Sequence, residues 1–298
     1  MNAILNLLKG VVIGIANIIP GVSGGTMAVS LGIFDRLIFA VNDLRKHPAK
    51  SLKFLLPLLV GMASGIIGFT YAVEFLLREY ALPTCMAFIG LIAGGVPMLV
   101  GEYRQSLRKA KRKVTVVDAV VFLAMLLLVV CMPFFQQSKN AVTVFGVGAL
   151  TLGSLFVVGV VASATMVIPG ISGSLVMMIL GYYHGIIGTL KSFFEAVRGM
   201  DFSGAMRYGF PLLFFGIGVV VGIFAVAKLL KFLFERLACT TYSGILGLVA
   251  ASPVAILYNT GALSDLQLGG AALRVLCGVV LLAGCAVFTY FFSKLKTD

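Results

Sequence analysis

Charged side chains are scarce in this chain. Asp, Glu, Lys and Arg together make up 11% of its 298 residues, where a soluble domain carries about 25%. Carboxylates are the rarer sign, 11 against 23 Lys and Arg, and there are only two histidines, His47 and His184. With 60% hydrophobic residues and a mean hydropathy of +1.09, this excludes a soluble enzyme, a disordered charged tail and a nucleic-acid-binding module. The net charge of +12 does not reopen the last class, because the basic residues sit in short loops between apolar runs, where a membrane protein puts them. The parts of phosphoryl chemistry are also missing. There is no His-Glu-x-x-His, no Walker A, no dense acidic cluster for magnesium and no carboxylate at the centre of an apolar run. An enzyme acting on phosphates uses metal-holding acids or a His nucleophile with a base. The five cysteines (Cys85, Cys131, Cys239, Cys277 and Cys285) are odd in number and form no Cys-x-x-Cys, so they read as small buried apolar residues.

What is abundant is uncharged length. Stretches without Asp, Glu, Lys or Arg run over 10–34, 54–73, 80–101, 119–138, 208–227, 237–264 and 275–293, and between 140 and 190 only His184 interrupts. A spanning helix needs about 20 mostly apolar residues, so the spacing predicts an all-α integral membrane protein with no soluble domain left over. The first run is longer than a signal-peptide core and continues into a Gly/Pro segment without an Ala-x-Ala-like site.

The chain repeats itself. Residues 18–32 (IIPGVSGGTMAVSLG) and 167–181 (VIPGISGSLVMMILG) are identical at seven of fifteen positions at an offset of 149. Pro57-Leu-Leu resembles Pro211-Leu-Leu, and Gly90-Leu-Ile-Ala resembles Gly247-Leu-Val-Ala. We read 1–298 as a single membrane domain made of a first repeat, 1–137, and a second, 138–298. Each repeat holds a broken run, either a re-entrant hairpin or two crossings, and then three plain spans near 54–77, 83–101 and 115–135, or 209–236, 241–258 and 271–293. An even count followed by three crossings leaves the second repeat with inverted topology, the design of many transporters. Charge supports that count. With the N-terminus on one side, that side receives Lys9, Arg45, Lys46, Lys50, Lys53, Arg104, Arg108, Lys109, Lys111, Arg112, Lys113, Lys228, Lys231, Arg236, Lys294 and Lys296. The other receives only Arg78, Lys139, Lys191, Arg198, Arg207 and Arg274, with Arg36 unassigned. The positive-inside rule makes the first side, and both termini, cytoplasmic.

The broken segments carry the chemistry. Pro20 and Gly21, like Pro169 and Gly170, are helix breakers. A break in lipid survives only where protein or a watery cavity covers it. A new helix is expected to start near Ser23. Ser23 and Thr26 offer hydroxyls, Gly24 and Gly25 let an anion reach backbone N–H groups, and the helix start adds about half a positive charge. Ser172, Gly173 and Ser174 repeat the arrangement. Close helix packing by small residues is the competing reading. Weaker candidates are Asn17, whose counterpart is Met166; Asp35 and Arg36, at the end of the first broken helix, matched by His184 and Gly185; and Lys228, which snorkels or meets an anion. Glu74 and Arg78 have helical ion-pair spacing, and Asp118 is placed to open a helix.

Asn17 to Thr26 (N-x-x-P-G-V-S-G-G-T) and Ile168 to Ser174 (I-P-G-I-S-G-S) resemble the paired motifs of the polyprenyl-phosphate transporter family, over almost the whole chain. The resemblance implies a multi-pass protein of the bacterial cytoplasmic membrane that returns undecaprenyl phosphate, a cell-wall lipid carrier, to the cytoplasmic leaflet. It implies a polyprenyl-phosphate lipid and membrane phospholipids as partners, with no nucleic acid, no metal and no cofactor. A proton or the membrane potential is left as the energy source. From the residues alone, a small-anion transporter or channel and an intramembrane polyprenyl-pyrophosphate phosphatase stay open beside this flippase.

Overall fold

The computed structural model describes residues 3–19, 22–132, 144–171, 173–267 and 271–294. Among them every regular element is a helix. The first half gives α1 (Ala3–Asn17), α2 (Gly24–Ser30), α3 (Phe34–Asn42), α4 (Pro48–Glu79), α5 (Ala81–Lys109) and α6 (Val116–Cys131). The second gives α7 (Ala149–Val167), α8 (Gly173–Ile179), α9 (Tyr183–Arg198), α10 (Phe202–Arg236), α11 (Ala238–Thr260) and α12 (Ala271–Lys294). Among the described residues, six helices (α4, α5, α7, α10, α11 and α12) are long and apolar enough to cross a membrane. Of the expected spans, the one near 115–135 appears as the shorter α6, and 133–135 lie outside the described residues, as does the repeat boundary at 137/138. The second broken run supplies α7 instead. Large apolar side chains point outward along the spans: Val280 and Phe291 of α12 are 63% and 64% exposed. That is a lipid-facing surface rather than a solvated one.

Several expected loops are helix. Pro48 sits at the first position of α4, where its missing N–H costs nothing, so Lys50 and Lys53 belong to that helix. Arg108 and Lys109 close α5, since cations in a last turn suit the helix dipole, and Arg104 lies inside the same helix. Of the basic residues between the second and third expected spans, only Lys111, Arg112 and Lys113 lie in the short turn between α5 and α6. Arg112 there donates two hydrogen bonds to Asp118 at 2.8 and 3.1 Å. Asp118 forms a capping box with Thr115 and opens α6 as expected. Arg78 pairs with Glu79 at 3.5 Å rather than with Glu74. Asp35 and Arg36 do not end the first broken helix. Leu31 and Gly32 end α2, and the acid–base pair lies in the first turn of α3.

Packing divides the chain into two compact units, one of Met1–Pro133, Ile168–Ile171 and Ala227–Asp298, the other of Phe134–Val167 and Ser172–Val226. Within the first, α1 lies on α4 through Gly10, Gly14, Gly61 and Gly65. A Cβ at Gly61 would stand 2.1 Å from the Leu7 carbonyl oxygen. The second unit packs α7 on α10 in the same way, with Gly159 against Phe215 and Gly218 against Phe156. Back in the first unit, α5 lies along α12 through Gly90 and Gly94, and α11 along α6 through Gly247. Helices α5 and α11 are antiparallel neighbours. Cys85, at the start of α5, meets the Thr260 hydroxyl at the end of α11 at 3.1 Å, while Lys109 and Tyr242 line one cavity at the opposite end.

Candidate functional site

The two broken segments end their short helices identically. Gly32 (φ +67°) follows α2 and Gly181 (φ +77°) follows α8, 149 residues later. The backbone bonds Leu31 N–H to Met27, Gly32 N–H to Val29 and Ile33 N–H to Ala28 recur as Leu180 to Val176, Gly181 to Met178 and Tyr182 to Met177. A left-handed residue here is tolerated because glycine carries no Cβ. Past it, α3 bends away from α2 by 117°, the geometry of a broken span or of a re-entrant loop. The helix starts correspond as well. A Cβ on Gly24 would meet the Asn17 amide at 2.8 Å, and one on Gly173 would meet the Met166 side chain at 2.5 Å. Asn17 and Met166, which share no chemistry, therefore share a packing position.

Ser23 is the N-cap of α2, and its Oγ accepts from Gly25 N–H at 3.2 Å. The same hydroxyl donates to the Ile168 carbonyl at 3.5 Å. Gly170 (φ +82°) donates its N–H to Thr26 Oγ1 at 2.6 Å. A Cβ on Gly170 would lie 2.8 Å from the Leu248 carbonyl oxygen. Ile168–Gly170 is thus clasped by the first motif, and both hydroxyls are buried, Ser23 at 4% and Thr26 at 0% exposure. Gly21-Val22-Ser23-Gly24-Gly25 has the spacing of a hydrolase nucleophile elbow, but the partners of Ser23 are backbone groups.

The remaining sequence candidates are scattered. Gly173 and Ser174 open α8; Pro20, Gly21 and Ser172 lie outside the described residues. Arg36 sits over the Phe54 ring at 4.9 Å, His184 meets the Tyr183 ring edge-on at 5.5 Å, and Lys228 is exposed on α10. Two features were missed in the sequence. Lys9 is not a surface charge: it is 1% exposed, and its Nζ donates to the Leu31 carbonyl at 3.1 Å, at the negative end of α2. Its spacing with Asn6, Ile13 and Ala16 marks one helix face, a signal that could have placed it inside. The second is Tyr242, whose hydroxyl donates to Asp35 and joins α11 to α3.

No solved structure matches this chain. Over 105 residues it is 30% identical to a polyprenyl-phosphate transporter of Staphylococcus aureus, covering 34% of this chain and 37% of that one. Over 136 residues it is 28% identical to a polyprenyl-phosphate transporter of Vibrio cholerae, covering 41% and 44%. The chain thus matches less than half the length of either relative. The VCA0040-like family model, described as undecaprenyl phosphate translocase-like, matches residues 13–267, both broken segments included, and the chain belongs to that family.

Proposed function

We propose that this protein is a flippase that returns undecaprenyl phosphate to the cytoplasmic leaflet of the bacterial inner membrane for reuse. One observation carries the reading: the duplicated Pro-Gly-x-Ser-Gly break, with matching helix ends in both copies, in a chain of this family. Ser23, Gly24, Gly25 and Thr26, and their counterparts Ser172, Gly173 and Ser174, bind the phosphate through hydroxyls and N–H groups at helix starts. In the conformation described, Ser23 and Thr26 hold Ile168 and Gly170, so the phosphate takes over bonds that the resting segments make with each other. A head that exchanges hydrogen bonds instead of losing them avoids much of the cost of crossing hydrocarbon, while its tail stays in lipid. The antiparallel α5 and α11, counterparts by sequence, support an inverted repeat. Such a repeat exposes one site to each leaflet in turn, with both termini cytoplasmic by the charge bias.

The test is reconstitution in liposomes with labelled undecaprenyl phosphate and undecaprenyl pyrophosphate, following leaflet exchange, phosphate release and chloride flux. Exchange of the monophosphate without phosphate release is the expected result. Phosphate release would make the protein a phosphatase, and chloride flux without lipid exchange would make it a small-anion pathway.

A further inference from the structure

A cavity of about 650 Å³ opens among α3, α5, α10 and α11, at the basic end of α5. Its charges are sorted. Lys109, Arg112, Glu235 and Arg236 come from the ends of α5 and α10 and the turn after α5, while Asp35, Glu102 and Tyr242 also line a second cavity of about 110 Å³ that continues to Gly32. Two of the three carboxylates, Asp35 and Glu102, therefore mark one end of the space, and the cations, with Glu235 beside them, the other. Arg112 is committed to Asp118. Lys109 and Arg236 enter no ion pair among the described residues. Around the carboxylate end stand the rings of Phe234 and Tyr242, 5.2 Å apart.

We propose that this cavity holds the headgroup of an ethanolamine-type phospholipid, its phosphate at Lys109 and Arg236 and its ammonium at the Asp35–Glu102 end. A lone phosphate does not fit the balance. With Arg112 neutralised, three carboxylates (Asp35, Glu102 and Glu235) face two available cations, and an anion would meet net repulsion. A zwitterion satisfies both ends, and aromatic faces beside the carboxylates add cation–π attraction for the ammonium. The membrane supplies the ligand, because the cavity lies at the ends of apolar spanning helices, at the depth of the headgroups. The site adjoins the end of the first repeated segment at Gly32, but none of the residues proposed to bind the transported phosphate line it, and it does not depend on the transport reading.

The experiment is native mass spectrometry of the purified full chain with dihexanoyl phosphatidylethanolamine, dihexanoyl phosphatidylglycerol and free phosphoethanolamine. The wild type should bind the ethanolamine lipid at least fivefold more tightly than the glycerol lipid. Glu102→Gln should abolish that preference, and Glu102→Asp should retain it. Lys109→Gln with Arg236→Gln should weaken both lipids. Binding of free phosphoethanolamine with the same sensitivity would show that the headgroup suffices; binding of the lipid alone would show that its glycerol and acyl stems are needed. Both support the site. Equal binding of the two lipids by the wild type overturns it, as does an unchanged preference in Glu102→Gln protein whose thermal midpoint matches the wild type. Because no transport is measured, failure here leaves the flippase reading standing, and the converse holds.

Discussion

Thr26 is the residue on which the centre of the first unit turns. Its hydroxyl is the partner of Gly170 N–H, and an amide left unpaired in the interior costs about 1–3 kcal/mol. Thr26→Val keeps the shape and removes the acceptor, so it should lower stability by that amount in a detergent unfolding titration. An unchanged midpoint would mean that the clasp contributes nothing. Ser23 has two duties that can be separated. As N-cap it tolerates Gly at a cost of a few tenths of a kcal/mol, whereas Ala costs about 1 kcal/mol. Both changes delete the hydroxyl. If Ser23 touches the phosphate, Ser23→Gly and Ser23→Ala should weaken lipid-phosphate binding equally, by roughly tenfold, while Ala lowers the melting temperature more than Gly does. Asp43, outside the spans, gives a pH signature. A hydrogen bond from Lys231 at 3.1 Å lowers its pKa, and the positive charges of Lys231, His47 and Lys46 act the same way. A depressed carboxylate stabilises the fold above its unfolded value of about 3.9, and that contribution fades as pH falls through the lower folded value. The difference in melting temperature between wild type and Asp43→Asn should therefore be larger at pH 7 than near pH 3.

At the scale of elements, glycine decides which helices touch. Gly61 and Gly218 each face a carbonyl at 2.1 Å from a would-be Cβ, whereas Gly68, on the same helix as Gly61, faces nothing within 4 Å. Gly61→Val and Gly218→Val should each separate a helix pair and cut the yield of folded protein in size-exclusion chromatography. Gly68→Ala should elute as wild type. These seams were only partly legible in the sequence. Long uncharged runs announced the helices, because hydrocarbon imposes their length, and the repeated Pro-Gly-x-Ser-Gly announced the breaks. The helix ends were not legible, because a helix continues past the hydrocarbon for as long as nothing stops it, as α5 does to Lys109. Proline alone was a poor guide: Pro57 and Pro211 sit inside continuous helices, and the chain breaks where proline is followed by clustered glycines. Lys9 misled because a charge near a terminus looks like an interface residue until the helix is rotated and its neighbours on that face prove to be core. The cavity around Asp35, Glu102 and Tyr242 joins residues more than 200 positions apart, which no local pattern reveals.

At the scale of the molecule, duplication is the organising fact, and the proposed inversion is what would give it a transport meaning. Counterpart helices α5 and α11 run antiparallel, so their C-terminal ends should lie on opposite faces of the membrane. Reporter fusions at Lys109 and Thr260 should show opposite sides, with Lys109 cytoplasmic; the same side would remove the inverted repeat and with it the alternating route. If the repeat is inverted, neither copy of the motif is the original site with the other as scaffold. Gly24→Val and Gly173→Val then form the decisive pair. Each places a branched side chain where a single Cβ already approaches a neighbour to 2.8 or 2.5 Å, and each closes the backbone to an approaching anion. Around Gly24 the neighbour is the Asn17 side chain, which Asn17→Ala removes. Around Gly173 it is the Met166 side chain together with the Ala162 carbonyl oxygen at 2.8 Å, so Met166→Ala relieves only part of that contact, and normal insertion of each double variant is checked before its binding is compared. Among variants that insert, the valine in either copy should lower binding of undecaprenyl phosphate to a similar extent. If one copy kept full binding, that copy would be a packing element, and the phosphate would be held by the other segment alone.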